Sequence, residues 1–217
     1  MYNFEQSKVL VTGGAGFIGS HLCDKLLQLG AEVVCLDNFI TGHRKNIAHN
    51  EMNPAFTLIE GDIRDMETCQ KAMKGCTHVS HQAALGSVPR SLNDPLTSND
   101  INITGTLNIF FAAYLAGIKR VVFASSSSCY GDEETLPKVE KLVGKPLSPY
   151  AITKVCAELY ASVFQSLYDM EMIGLRYFNV FGPRQDPEGM YAAVIPKFVQ
   201  SLINHEAPKI HGDGSQS

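Results

Sequence analysis

Six short runs of apolar, largely β-branched residues recur along the chain, and longer stretches with helical periodicity separate several of them. This alternation narrows the fold more than any other feature. The runs are KVLVT at 8–12, EVVCLD at 32–37, FTLIEGD at 56–62, HVSHQAA at 78–84, RVVFASS at 120–126 and MIGLRYF at 172–178. Their apolar character is nearly continuous, which is what strands need when helices cover both faces of a sheet. The pattern predicts an α/β chain with a doubly wound parallel sheet. Helices are expected over 16–29, stopping at Gly30, over 96–116, stopping at Gly117, and over 147–168, with Ser148-Pro149 as the start signal. Irregular chain is expected over 131–149 and again over 181–189.

Composition excludes several classes of function. Hydrophobic residues make up 45% of the 217 and charged residues 18%, which is incompatible with a disordered chain. Eighteen Lys and Arg stand against 22 Asp and Glu, a net charge of −4, so no global basic field draws in nucleic acid or an anionic membrane. An anionic ligand has to be held locally. No apolar run reaches the roughly 18–20 residues of a membrane span, and MYNFEQSKVLVTGG lacks the layout of a secretion signal, so a cytoplasmic protein is expected. The six cysteines contain no CxxC pair and several lie in apolar runs, which predicts reduced, buried thiols. His78 and His81 fall on opposite faces of a strand, so no metal site is expected from them.

The first strand-to-helix turn reads VTGGAGFIGSHL, with Gly13, Gly16 and Gly19 in a GxxGxxG spacing. Glycines at such a turn let backbone approach a pyrophosphate closely, and the following helix N-terminus supplies N–H donors and partial positive charge. Asp37 closes the second strand 18 residues after Gly19, where a carboxylate accepts from both adenosine ribose hydroxyls and repels a 2′-phosphate. A Rossmann-type NAD site is predicted, with NAD preferred over NADP; Arg44, further along that loop, works slightly against the exclusion. Asp62 in GDIRD reads equally as an adenine contact or as a loop-capping acid.

Tyr150 and Lys154 form a YxxxK pair at the start of a helix whose apolar stripe is Ile152, Val155, Leu159, Val163 and Leu167. A phenol unperturbed near about pH 10 needs help to act as a base near neutrality. A neighbouring ammonium, a helix N-terminus and an oxidised nicotinamide would each favour the phenolate. The serine run 125–128 lies just beyond the fifth strand, on the edge where open α/β sheets bind ligands, and its hydroxyls can bond a substrate hydroxyl and relay its proton.

The segments GGAGFIG, LDNFITGHRKN, GDIRD, HQAALGSVPRS, NITGTLN, ASSSSCYGD, PLSPYAITK and GLRYFNVFGPRQDP occur in this order. Together they resemble the extended short-chain dehydrogenase/reductase superfamily, specifically UDP-sugar 4-epimerases. HQAALGSVPRS and GMYAAVIPKF are most similar to the UDP-N-acetylglucosamine 4-epimerase branch. The resemblance implies that Phe17 and Ile18 line the pyrophosphate turn and that Asp37, Asn38, Asp62 and Ile63 hold the adenosine. It implies that Gln82, Ala83, Ala84 and Asn102 flank the middle of the cofactor, with Lys154 on the nicotinamide ribose. Tyr150 would be the catalytic base, Ser126 the catalytic hydroxyl and Ser127 a second contact; Asn179 would meet the substrate diphosphate, and Ser87 and Arg90 the sugar.

The implied organisation is a Rossmann domain over 1–180 and an incomplete smaller substrate lobe over 181–217. Relatives continue past KIHGDGSQS, so a truncated member is expected. Residues 191–196, including Val194, Ile195 and Pro196, would lie near the uridine, and a helix would run from about 196 to 204. The resemblance also implies a UDP-sugar substrate and a homodimer. Alternatives are a UDP-glucose or UDP-glucuronate 4-epimerase, a 4,6-dehydratase or decarboxylase, and a non-catalytic NAD-binding module. The segment 126–129 carries no Asp or Glu, which speaks against water elimination.

Overall fold

A computed structural model describes residues 4–186, 194–210 and 212–213. They fall into two units, meeting in sequence at Phe178 and Asn179. The first holds six strands, β1 (Lys8–Thr12), β2 (Glu32–Asp37), β3 (Phe56–Glu60), β4 (His78–His81), β5 (Arg120–Ser126) and β6 (Glu171–Tyr177). Its helices are α1 (Phe17–Gln28), α2 (Met66–Met73), α3 (Val88–Asn93), α4 (Pro95–Asn99), α5 (Gly105–Leu115) and α6 (Pro149–Leu167). The strands pair in parallel in the order β3-β2-β1-β4-β5-β6. The order reverses between β1 and β4, and a crevice opens there at the carboxyl ends, the usual ligand position in an open sheet.

The continuous apolar runs have their cause in two cores, one on each sheet face. Val9, Val11, Val33 and Cys35 pack with Ile47 and Phe56 on one side. Leu10, Val34, Leu36 and Val79 join Phe110, Phe123 and Phe164 on the other. β6 departs from the expectation of cover on both faces: it is an edge strand, and Ile173 and Leu175 are exposed. The expected helix over 96–116 is α4 and α5 joined by a π-helical stretch, Asp100–Thr104. Such stretches widen a helix and re-aim its side chains; this one carries Asn102.

Five cysteines are buried, Cys156 is half-buried, and all six are free thiols. Among the described residues no helix is long and apolar enough to cross a membrane. In the second unit, α7 (Val194–Ile203) forms two residues ahead of the expected start; Tyr191 lies outside the described residues.

Candidate active site

The glycine turn joins β1 to α1. Gly13 has φ +67°, a left-handed conformation, and a Cβ there would stand 2.7 Å from the Ala83 nitrogen. Gly19 lies so close to the Gly13 carbonyl that any side chain would collide with it. These two positions admit only glycine for steric reasons. Gly16 starts α1 in extended conformation, with no side chain closing its N-terminus. Phe17 and Ile18 form the first turn of α1, both half-buried, with Phe17 edge-on to His21. Gly14, not singled out by the spacing, seats the turn on sulfur: a Cβ there would stand 2.5 Å from Cys35 Sγ and 3.2 Å from Cys23 Sγ.

Asp37 ends β2 buried against this turn. Its carboxylate accepts from Ala15 N–H at 2.9 Å and from Phe39 N–H at 2.8 Å. Burial pushes its pKa up, and the two N–H donors pull the other way. Asn46, further along the loop, donates to the Ala15 carbonyl at 2.9 Å and ties the loop over the turn. Arg44 points elsewhere, pairing with Glu51 at 2.9 Å. Asp62 is a loop-capping acid: it accepts from Arg64 N–H at 2.9 Å, from the Arg64 guanidinium at 2.7 Å and from Asn38 Nδ2 at 2.8 Å. Arg64 and Asn38 hold its carboxyl at about 2 despite partial burial. The Ile63 side chain packs in the core against Gly105, leaving only its backbone to face a ligand.

At the end of β4, Gln82 Oε1 is buried without a hydrogen-bond partner among the described residues, while its Nε2 donates to Ser80 Oγ at 3.1 Å. Ala83 N–H donates to Thr12 Oγ1 at 3.2 Å, fixing the strand end that faces Gly13; Ala84 follows, half-buried. His81, for which the sequence offers no role, pins this cradle from beneath, 2.7 Å from Thr12 Oγ1 and 2.9 Å from Thr106 Oγ1. Asn102 is not brought to the crevice by its side chain. It is 2% exposed, accepts from Leu85 N–H at 2.8 Å and donates to the Leu85 carbonyl and to Thr153 Oγ1, bracing the β4 loop against α6.

Tyr150, Lys154, Ser126 and Ser127 come together where β5 ends beside α6. The Ser126 hydroxyl lies near enough to the Tyr150 phenol to draw its pKa down against burial. Ser126 Oγ accepts from the Ser128 hydroxyl at 2.9 Å and from Ser128 N–H at 3.2 Å, which leaves its own proton free to be donated. Ser127 starts the short turn after β5, half-buried. Tyr150 is positioned by its own N–H, which donates to Ser91 Oγ at 3.0 Å, and by the Ser148 cap of α6.

The expected depression of the phenol by Lys154 does not hold in this structure. Burial pushes Tyr150 above its ordinary value, and only the nearby Ser126 hydroxyl opposes this. Lys154 Nζ turns instead to the Ala124 carbonyl at 2.8 Å and lies 5.8 Å from the Tyr150 ring centre. Burial brings the lysine itself down to about 8. Ser87 caps α3, accepting from Arg90 N–H at 3.2 Å, with φ +134°, a strained value for a residue with a Cβ. Asn179, Val194, Ile195 and Pro196 belong to the second unit, the last three in the first turn of α7.

A dinucleotide fits the first unit: two positions where only glycine is tolerated, an uncapped helix start, a buried acid at the β2 end and an orphaned amide oxygen on Gln82. Residues 9–217 match the model of the NAD dependent epimerase/dehydratase family. The chain is 40% identical over 212 residues to the UDP-glucose 4-epimerase of Mycolicibacterium smegmatis, covering 97% of this chain and 67% of that one. UDP-N-acetylglucosamine 4-epimerase from Methanobrevibacter ruminantium, solved with UDP-N-acetylmuramic acid, superposes with a TM-score of 0.93 at 43% identity, covering 98% of this chain and 67% of that one. The UDP-glucose 4-epimerase of Thermus thermophilus, solved with NAD, gives 0.82 at 40% identity, covering 92% and 63%. The chain thus spans about two thirds of the length of these relatives. It belongs to the NAD dependent epimerase/dehydratase family, with UDP-sugar 4-epimerases as its relatives and NAD as its cofactor.

Proposed function

We propose that this protein inverts C4 of a UDP-hexose, with UDP-N-acetylglucosamine and UDP-N-acetylgalactosamine as the pair interconverted. The observation that carries the reading is the meeting of Tyr150 and Lys154, one turn apart on α6, with Ser126 at the end of β5, where Lys154 Nζ holds the Ala124 carbonyl and lies 5.8 Å from the Tyr150 ring centre. Bound NAD supplies the acceptor, and afterwards the donor, of the hydride at C4. Tyr150 takes the O4 proton as the hydride leaves C4, which yields a 4-keto sugar. Ser126 assists by donating its hydroxyl proton beside O4. Once the keto sugar has turned, Tyr150 gives the proton back to O4, where bound NAD would return the hydride to the opposite face of C4. Asp37, Asn38, Asp62 and the Ile63 backbone hold the adenosine, Gly13, Gly16, Phe17, Ile18 and Gly19 the pyrophosphate, and Gln82, Ala83 and Ala84 the middle of the cofactor; Asn102 acts from behind Leu85.

Residues 1–180 form the NAD-binding domain in this reading and 181–217 the start of the substrate lobe. Asn179 serves the diphosphate, Val194, Ile195 and Pro196 the uridine, and Ser87, Arg90 and Ser127 the sugar. A UDP-glucose substrate is the second reading, favoured by the name of the Mycolicibacterium relative. Dehydration or decarboxylation is disfavoured because the segment 126–129 offers no acid. The exposed Phe111, Tyr114 and Leu115 of α5 and Leu159, Val163 and Leu167 of α6 support a homodimer through these helices. Proton NMR of UDP-N-acetylglucosamine incubated with the protein and NAD tests the assignment: the anomeric signal of the galacto epimer is expected. Its absence, with turnover of UDP-glucose, would move the assignment to the second reading.

A further inference from the structure

Three consecutive residues at the carboxyl end of β5 each face a side chain of α6, two of them through hydrogen bonds. Tyr150 meets the Ser126 hydroxyl, Lys154 donates to the Ala124 carbonyl, and Glu158 accepts from the Ser125 hydroxyl. Tyr150, Lys154 and Glu158 are spaced i, i+4 and i+8, so they share one face of the helix. The hydrogen bonds at Ala124 and Ser125 tie the strand end to α6 directly before Ser126.

The third contact is also the one held from behind. Arg176, paired in register with Ser125 across β5 and β6, grips Glu158 in a two-pronged ion pair, Nε to Oε1 at 2.9 Å and a terminal nitrogen to Oε2 at 2.7 Å. Its other terminal nitrogen donates to the Glu140 carbonyl at 3.1 Å, and its guanidinium lies 4.9 Å from the Tyr130 ring centre. A planar fork held at both ends has little freedom to swing. The side chains of Arg176 and Glu158 are only 17% and 25% exposed, so the pair bears a desolvation penalty that an apolar pair in the same place would avoid. The proton chemistry at O4 does not use Glu158.

We infer that Glu158, clamped by Arg176, is a positioning residue that acts through Ser125 to fix the end of β5 against α6 and so keeps the Ser126 hydroxyl on the Tyr150 phenol. The inference rests on Tyr150 as the proton carrier of the proposed reaction. Two substitutions perturb the contact while keeping every charge: Ser125→Ala removes the hydroxyl, and Glu158→Asp shortens the reach by one methylene. Tyr150 ionisation is followed by phenolate absorbance in the NAD-loaded protein, with each variant carrying Tyr150→Phe as its blank. A bond donated by Ser126 favours the phenolate, so its loosening weakens phenol acidity, by about fivefold in each variant. The double variant should do no worse than either single one, because both act along one path. Turnover should fall in kcat with KM for the UDP-sugar unchanged.

A lowered melting temperature with an unmoved phenol titration in both variants would overturn the inference, since it leaves Glu158 a purely structural role. If Glu158→Asp fails to fold, Ser125→Ala carries the same test alone. A shifted titration in a protein that converts no UDP-sugar supports the positioning and refutes the epimerase reading. Conversion with an unmoved titration does the reverse.

Discussion

Acidification should weaken this protein through a single imidazole. His81 lies between two hydroxyls, Nδ1 at 2.7 Å from Thr12 Oγ1 and Nε2 at 2.9 Å from Thr106 Oγ1. The neutral ring is satisfied at both nitrogens by these hydroxyls. Burial drives the pKa from 6.5 down to about 3, and the Lys154 charge acts in the same direction. The unfolded chain therefore binds a proton below about pH 6.5 that the folded chain refuses, so stability is whole above that pH and declines below it. At roughly 1.4 kcal/mol per pH unit, the imidazole alone removes about 2 kcal/mol between about pH 7 and about pH 5. Asp62, depressed to about 2 chiefly by Arg64, contributes stability that is lost only below about pH 4, outside this window. Urea unfolding of the wild type and of His81→Gln at both pH values measures the effect, and the difference of the two losses isolates the ring. The wild type should lose about 2 kcal/mol more than the variant. Parallel losses would refute a buried neutral histidine beneath the turn.

Other outcomes follow from the same geometry. Tyr150→Phe should retain NAD and lose about 10²- to 10⁴-fold in turnover, read by the NMR assay; near-normal rates would remove Tyr150 from the chemistry. Gly19→Ala puts a Cβ into the Gly13 carbonyl, so NAD binding by titration calorimetry should be abolished while the circular dichroism of the sheet and helices persists. Phe110→Ala opens the core among Phe123 and Phe164, whose ring centres lie 5.3 and 5.8 Å away, and should cost about 3–5 kcal/mol in urea unfolding.

The readable parts of this molecule are those written in neighbouring residues. β1, the glycines and α1 form one continuous signal, and Asp37 is legible because a strand end is a local event. Tyr150 and Lys154 are legible from their i, i+4 spacing, but where each side chain points is decided by burial and by the Ala124 carbonyl, so the electrostatic expectation for the phenol reversed. His81 with Thr106, Asn102 with Leu85 and Thr153, and Glu158 with Ser125 and Arg176 were out of reach for a different reason. Their partners lie on other strands and helices, and only the sheet order brings them side by side. α2 did carry a local signal, since the Asp65 carboxylate caps Glu67 and Thr68 N–H, but its apolar face is short. The π-helical stretch has no sequence signature of its own; Asn102 is drawn inward by Leu85 and Thr153.

The distribution of thiols has a practical use. Cys23, Cys35, Cys69, Cys76 and Cys129 are enclosed by the fold, and burial raises the pKa of Cys69 and Cys76 to about 12 and about 11, where little thiolate exists to react. Cys156 alone of the six is partly open to solvent, two residues along α6 from Lys154. A maleimide dye added to the unmodified protein should attach there first, giving a fluorescent reporter on α6 without a single substitution.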